Sequence, residues 1–297
     1  MDEFLAKYEK ERQIIHKNNL IFGIIGGVFM LLAFLSGIAF EIPFLVFLFP
    51  VGLIMIIVRV VKTSKFSQNL KCEILPSLVK EILGEDSYYN MSSGLGLSDI
   101  LAIGIYRYPD RYHVSDYISA TYNGIFYEMS DAKLEERHVT RDSKGNRRVT
   151  YTTYFLGRVI KIDIQRDFDF IIKIIESAYL SIGKSNKIET EVIEFNKKFD
   201  VFCSNEEKAF YVLTPSMIQK MLELEKMYNG TINFYMDGRY FYVYINNSKD
   251  SLEIKLNKPF DSTYLDTIRS EIQIAEAIIN EFGLDRGKYI DEIKYSE

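Results

Sequence analysis

Between Leu20 and Phe40 the chain reads LIFGIIGGVFMLLAFLSGIAF, a run without one ionisable side chain. Wound as a helix rising 1.5 Å per residue, such a run covers about 30 Å, the thickness of a bilayer's hydrocarbon core. After Glu41-Ile42-Pro43 the chain resumes with FLVFLFPVGLIMIIVRVV, from Phe44 to Val61. Two such runs back to back predict a transmembrane helical hairpin over 20–61, with its helices at 20–40 and 44–61. Arg59 lies close enough to the end of the second run to snorkel to the interface. Pro50 removes one backbone donor, which a membrane helix accommodates as a kink beside a partner helix. A cleaved signal peptide fits poorly, because residues of mixed charge precede the first run and no small-residue cleavage site follows it.

Orientation follows from the basic residues. Lys7, Lys10, Arg12 and Lys17 flank one outer end, Arg59, Lys62 and Lys65 flank the other, and the connecting turn has none. The expectation is an inner (plasma) membrane protein with both termini in the cytosol. Gly23 with Gly27, and Ala33 with Gly37, repeat the small-x-x-x-small spacing that lets helix backbones approach closely. These four are the candidate helix-packing positions, either within the hairpin or in a homo-oligomer. No ionisable residue falls near mid-bilayer, so the hairpin alone offers no ion or proton pathway.

The 297-residue chain is 47% hydrophobic, ample for a packed core, and carries a formal charge of −5. A mildly acidic chain lacks the basic face with which nucleic-acid binders neutralise phosphates, so no nucleic-acid partner is expected. Cys72 and Cys203 have no ligand-like spacing to one another or to His16, His113 and His138. No metal or other cofactor is therefore expected, and a reducing compartment suits so few cysteines.

Beyond the anchor the expected fold is α+β: a cytosolic domain with an antiparallel β-meander and packed helices. Residues 1–19 are expected to form a cytosolic N-terminal helix, 62–97 a helical connector, and 98–297 the domain, divisible into subdomains 98–187 and 188–297. In the connector Phe66, Leu70, Ile74, Leu78 and Ile82 recur every four residues, one apolar stripe on a helix, with a kink or restart at Pro76. Asn123-Gly124 between two aromatic runs predicts a tight hairpin, and Asp142 to Asn146 a second turn between paired strands. Asp169 to Glu176, IETEVIEF (188–195) and KKFDVFC (197–203) read as further strands. Ser204-Asn-Glu-Glu207 reads as a capping box, Thr214-Pro215 as a helix start, and Asp237-Gly238 as another hairpin. The last helix runs from Leu265 to Phe282 and stops at Gly283.

Reactive motifs do not stand out. Ser92-Ser93-Gly94-Leu95-Gly96 lacks the lysine and third glycine of a phosphate loop, and no G-x-S-x-G or H-E-x-x-H occurs, so no catalytic residue is assigned and the balance leans against an enzyme. Arg137, Arg141, Lys144, Arg147 and Arg148, with His138, decorate the hairpin around its 142–146 turn. Basic tips of this kind bind anionic lipid or a protein partner, which makes these arginines and the lysine the candidate contact residues.

Several stretches resemble, in matching order, an uncharacterised bacterial family of membrane-anchored proteins known as a domain of unknown function. They are Asp142-Ser-Lys-Gly145, Phe155-x-Gly157, Phe195-Asn-Lys-Lys-Phe199-x-Val201, Ala209-x-x-x-Leu213-Thr-Pro215 and Asp237-Gly238-Arg239, followed by a terminal amphipathic helix. The similarity runs over most of Ser98 to Gly287; it implies a bacterial inner-membrane setting and assigns no activity. The function expected is a membrane-tethered cytosolic scaffold or interaction domain. An accessory subunit of a transport or envelope-assembly complex comes second, and an enzyme of unrecognised type third.

Overall fold

The computed structural model describes residues 2–35, 47–141, 143, 145–177, 187–254, 256 and 258–289. The chain divides into two compact units, one formed by Met1–Leu75 with Glu253–Arg269, the other by Pro76–Leu252 with Ser270–Glu297.

In the first unit, α1 (Asp2–Leu35) and α2 (from Leu48, ending at Leu83) meet backbone to backbone. A Cβ added at Gly26 would lie 3.0 Å from the Gly52 carbonyl oxygen, and one at Gly52 only 2.6 Å from that of Gly26. Small residues permit this approach, as in other closely packed apolar helices. Asn19 Nδ2 donates to Thr63 Oγ1 at 2.7 Å, joining the pair where the apolar runs give way to polar sequence. Arg12 ties down the segment from Glu253 onward by donating to the Leu256 carbonyl at 2.7 Å, while Glu9 accepts from the Phe260 amide at 2.9 Å.

Among the described residues one helix is long and apolar enough to cross a membrane, Tyr8–Leu35, with a mean hydropathy of 2.0. The expected two-helix hairpin is not met by that measure. The described part of the second run begins near Leu48, and a window long enough to span takes in Arg59, Lys62 and Lys65. The expected turn at Glu41 to Pro43, like Gly37, lies outside the described residues. Of the expected helical connector 62–97, α2 covers the part up to Leu83, with Pro76 inside it, and a short strand follows at Tyr88–Asn90.

The second unit is built on a nine-stranded antiparallel sheet. In chain order its strands are β1 (Tyr88–Asn90), β2 (Arg111–Tyr122), β3 (Ile125–Arg141), β4 (Arg147–Asp163), β5 (Ile171–Glu176), β6 (Lys187–Ile188), β7 (Phe199–Cys203), β8 (Thr231–Asp237) and β9 (Tyr240–Asn246). Their order across the sheet is β1-β2-β3-β4-β9-β8-β5-β7-β6. The α+β expectation is met. Asn123 and Gly124 both adopt positive φ (49° and 79°), the two-residue turn whose twist matches its flanking strands, and Tyr122 pairs with Ile125 across it. β8 turns into β9 through Gly238 and Arg239, of which Gly238 alone takes positive φ, at 56°.

Each face of the sheet is covered. On one, α3 (Leu97–Leu101) and the residues after it bury Ile100, Ile103 and Tyr106 among Leu134, Phe155, Val159 and Tyr244, with Tyr106 edge-on to Phe155 at 5.1 Å. On the other, α8 (Ile274–Phe282) sets the Phe282 ring 5.9 Å from both Phe234 and Phe241. Burying such a ring stabilises by roughly 1.5–3 kcal/mol.

Local departures from the sequence expectation have local causes. IETEVIEF is no strand: β6 ends at Ile188, Asn196 folds its side chain back onto Thr190, and α4 (Ile193–Lys198) begins in its place. Asn205, not Ser204, caps α5 (Glu206–Val212), accepting from the Lys208 amide at 3.0 Å. Thr214 caps α6 (Pro215–Met227) as expected. The terminal helix is broken at Gln273 into α7 (Ser262–Ile272) and α8, and Gly283 ends the latter at φ 64°.

Candidate functional site

The expected basic residues sit on a two-stranded ribbon. β2 leaves β3 at the pair Arg111–Glu135, and β9 joins β4 only from Gly157, so Glu136 to Arg141 and Arg147 to Thr152 pair with each other alone. At about 3.4 Å per residue the ribbon extends roughly 20 Å past the sheet. Register assigns its faces, since paired residues point the same way and successive pairs alternate. Arg141 with Arg147, Val139 with Val149, and Arg137 with Tyr151 share one face. Thr140 with Arg148, and His138 with Thr150, share the other. The first face is cationic and apolar together: Val139, Val149 and Tyr151 are all exposed, and Arg111 stacks 4.4 Å from the Tyr151 ring. The acids at the ribbon's base are engaged, Glu135 by Lys133 and Arg111, and Glu136 by Arg107. No described acid pairs with Arg137, Arg141, Arg147 or Arg148. Lys144 and Asp142 lie outside the described residues.

A second cluster, which sequence reasoning missed, is buried in the sheet. The largest fully buried side chain among the described residues is Arg158, on β4. Its Nε donates to Asp131 Oδ1 at 2.9 Å, directly across on β3, and its Nη1 donates to the Glu271 carbonyl at 2.6 Å. Asp131 Oδ2 accepts from the Ser251 amide at 2.6 Å. A β-bulge between Ser115 and Ile118 puts Asp116 at φ 55°, and its carboxylate accepts from the Tyr89 hydroxyl at 2.6 Å. Asp116, Asp131 and Asp250 bring carboxylate oxygens within 4.8 Å of one another. Three carboxylates so close could ligate a hard cation, yet Arg158 already supplies the positive charge, and Tyr89 and Ser251 occupy oxygens that a metal would need. The cluster is a hydrogen-bonded knot joining β2, β3, β4, Glu271 and the loop after β9. Burial pushes the Asp131 carboxyl up, Arg158 opposes it, Asp250 adds to the rise, and the balance stands at about 6.

A third group is Tyr-rich. Lys161 reaches Asp99 at 3.0 Å and Glu128 at 3.7 Å, and Asp99 accepts from the Tyr242 hydroxyl. It fastens α3 to the sheet through paired charges and leaves no nucleophile beside a base.

The helix-packing candidates are spread over different surroundings. A Cβ at Gly23 would collide with the Arg59 guanidinium, Gly27 has nothing within 4 Å, and Ala33 is buried. The contact between α1 and α2 at Gly26 and Gly52 uses two other glycines. Gly26 lies next to Gly27, so a one-residue offset in the small-residue pattern separates expectation from contact.

Residues 153–284 match a family model described as "Protein of unknown function (DUF3137)". The resemblance to a family of unknown function is thereby met, and the Phe155-x-Gly157, Phe195 to Val201, Leu213-Thr-Pro215 and Asp237-Gly238-Arg239 stretches fall inside the matched span. Comparison with curated proteins found no match. Among solved structures the chain is similar to the mycobacterial trehalose monomycolate transport factor A, TtfA, at 8% identity and a TM-score of 0.36, over 73% of this chain and 94% of that one.

Proposed function

We propose that this chain is a membrane-tethered interaction domain, anchored by a helical hairpin over 20–40 and 44–61, with both termini and the 98–297 domain in the cytosol of a bacterial cell. The observation that carries the reading is the apolar surface left open on both helices. Ile24 (59% exposed), Leu31 and Phe34 on α1, and Phe49, Ile54 and Val60 (61%) on α2, face outward, and neither Leu20–Leu35 of α1 nor Leu48–Val58 of α2 carries a charged residue. A patch of that extent on a water-soluble helix pair would drive association; in lipid it is the expected surface. The interaction element is the β3–β4 ribbon, whose Arg137, Arg141 and Arg147 with Val139, Val149 and Tyr151 suit an anionic surface that also accepts apolar contact, as the inner leaflet does. Alkaline carbonate extraction tests the anchor: the chain should stay in the membrane pellet, and release into the supernatant would overturn the reading.

A second reading, an accessory subunit of a transport or envelope-assembly complex, is favoured by Gly27. With nothing within 4 Å of its missing side chain, it offers another helix a place to approach. Cross-linking in intact membranes, with Gly27→Ile as the comparison, would reveal a partner helix there or exclude one.

A further inference from the structure

Where the apolar runs end, α1 and α2 with Glu253, Ile254 and Leu256 line an open pocket of about 460 Å³. It is lined by His16, Asn19, Leu20, Arg59, Thr63, Glu253, Ile254 and Leu256, within the usual size of a small-ligand site, about 300–1,000 Å³. Arg59 and His16 have no partner among the described residues, and Asn19 and Thr63 are held in place by their mutual hydrogen bond. Arg59 lies at the end of the apolar run, between the exposed Val58 and Val60, where its guanidinium reaches the level of lipid headgroups. Gly23 supplies the room, because any side chain there would strike the guanidinium.

We propose that this cavity binds the phosphodiester headgroup of a membrane phospholipid, with Arg59 as the principal donor, Asn19, Thr63 and His16 completing the shell, and the acyl chains running along the exposed apolar faces of α1 and α2. Planar guanidinium is the side chain best matched to phosphate oxygens. The inference rests on the membrane-anchored reading and deepens it.

The test is native mass spectrometry of the full chain released from detergent after incubation with phosphatidylglycerol, with diacylglycerol of the same acyl chains, and with inorganic phosphate in excess. Wild type should retain one phosphatidylglycerol about tenfold more than diacylglycerol, the worth of one charge-assisted hydrogen-bond set. Arg59→Gln should lose that preference, and Gly23→Ala, which keeps the charge but fills its space, should weaken it. Lys17→Gln, an exposed charge outside the lining, should change nothing. Inorganic phosphate should fail to displace the lipid; displacement would assign the site to a soluble phosphate and overturn the proposal. Equal retention of the two lipids, or retention unaltered in Arg59→Gln, would also overturn it. The carbonate assay separates the failures: a chain that stays in the pellet while Arg59→Gln binds normally refutes this site alone.

Discussion

Arg158 and Asp131 are cross-strand partners on β4 and β3, 2.9 Å apart and both sealed from water. Two charges at that depth are stable only together, because each offsets part of the desolvation cost of the other. Replacing Asp131 with Leu should strand the guanidinium and destabilise the fold by about 3–5 kcal/mol. The double change Asp131→Leu with Arg158→Met should recover most of the loss. Thermal unfolding of the three forms at neutral pH decides it; a double variant no better than the single would show that the knot's value lies in Arg158's bond to the Glu271 carbonyl.

The same aspartate predicts a pH dependence. Burial raises its carboxyl to about 6, above the unfolded value near 4, so the folded chain holds an extra proton between those limits. Stability from this group is therefore fully present below about 4 and is lost as pH rises through about 6, a change of roughly 1–3 kcal/mol. Asp131→Asn, which cannot titrate, should flatten the unfolding profile across that window. An unchanged slope would place the proton elsewhere.

The ribbon's two faces make separable predictions. Arg137→Ser with Arg141→Ser and Arg147→Ser strips the cationic-apolar face and should shift stability by no more than about 0.5 kcal/mol, since these side chains point away from the core. Binding to vesicles containing anionic phospholipid should fall by a hundredfold or so, at about 1 kcal/mol per charge, and the residual should be less sensitive to salt. Arg148→Ser, on the opposite face, should cost little. A loss for Arg148→Ser of about 1 kcal/mol, the same per charge as in the triple variant, would mean that charge number, not the face, governs binding.

Gly157 pairs with Asn246 where β4 and β9 first meet, and a side chain there would run into the Ile245 carbonyl. Backbone cannot give way as a flexible side chain can, so Gly157→Ala should cost about 1–3 kcal/mol or more. A neutral effect in chemical denaturation would show that β9 can move away from β4 without loss.

Much of the sheet was legible because turn chemistry is local: Asn123-Gly124 and Asp237-Gly238 each specify a hairpin whatever surrounds them. The Thr214-Pro215 cap and the Gly283 stop are local for the same reason. The Asp131–Arg158 pair was not legible, for a definite cause. Counting inward from Arg141–Arg147 at constant register sets Asp131 opposite Gly157, and only the bulge between Leu134 and Glu135 moves Arg158 into place. Asp116 depends on a second bulge, and Asp250 arrives from a distant loop, so no spacing rule links the three. The strand expected over IETEVIEF failed because the hydrogen bonds between Asn196 and Thr190 outcompete a β-ladder. The basic ribbon was visible as composition, whereas its division into two faces needed the register.

In the proposed topology the hairpin enters and leaves the membrane from the cytosolic side. In a chain with Cys72→Ser and Cys203→Ser, single cysteines introduced as Glu41→Cys and Ser98→Cys can be challenged with a membrane-impermeant maleimide in intact cells and after lysis. With that topology position 41 reacts from outside the cytoplasmic membrane while position 98 reacts only after lysis. Labelling of position 98 in intact cells, or protection of position 41 until lysis, would contradict it.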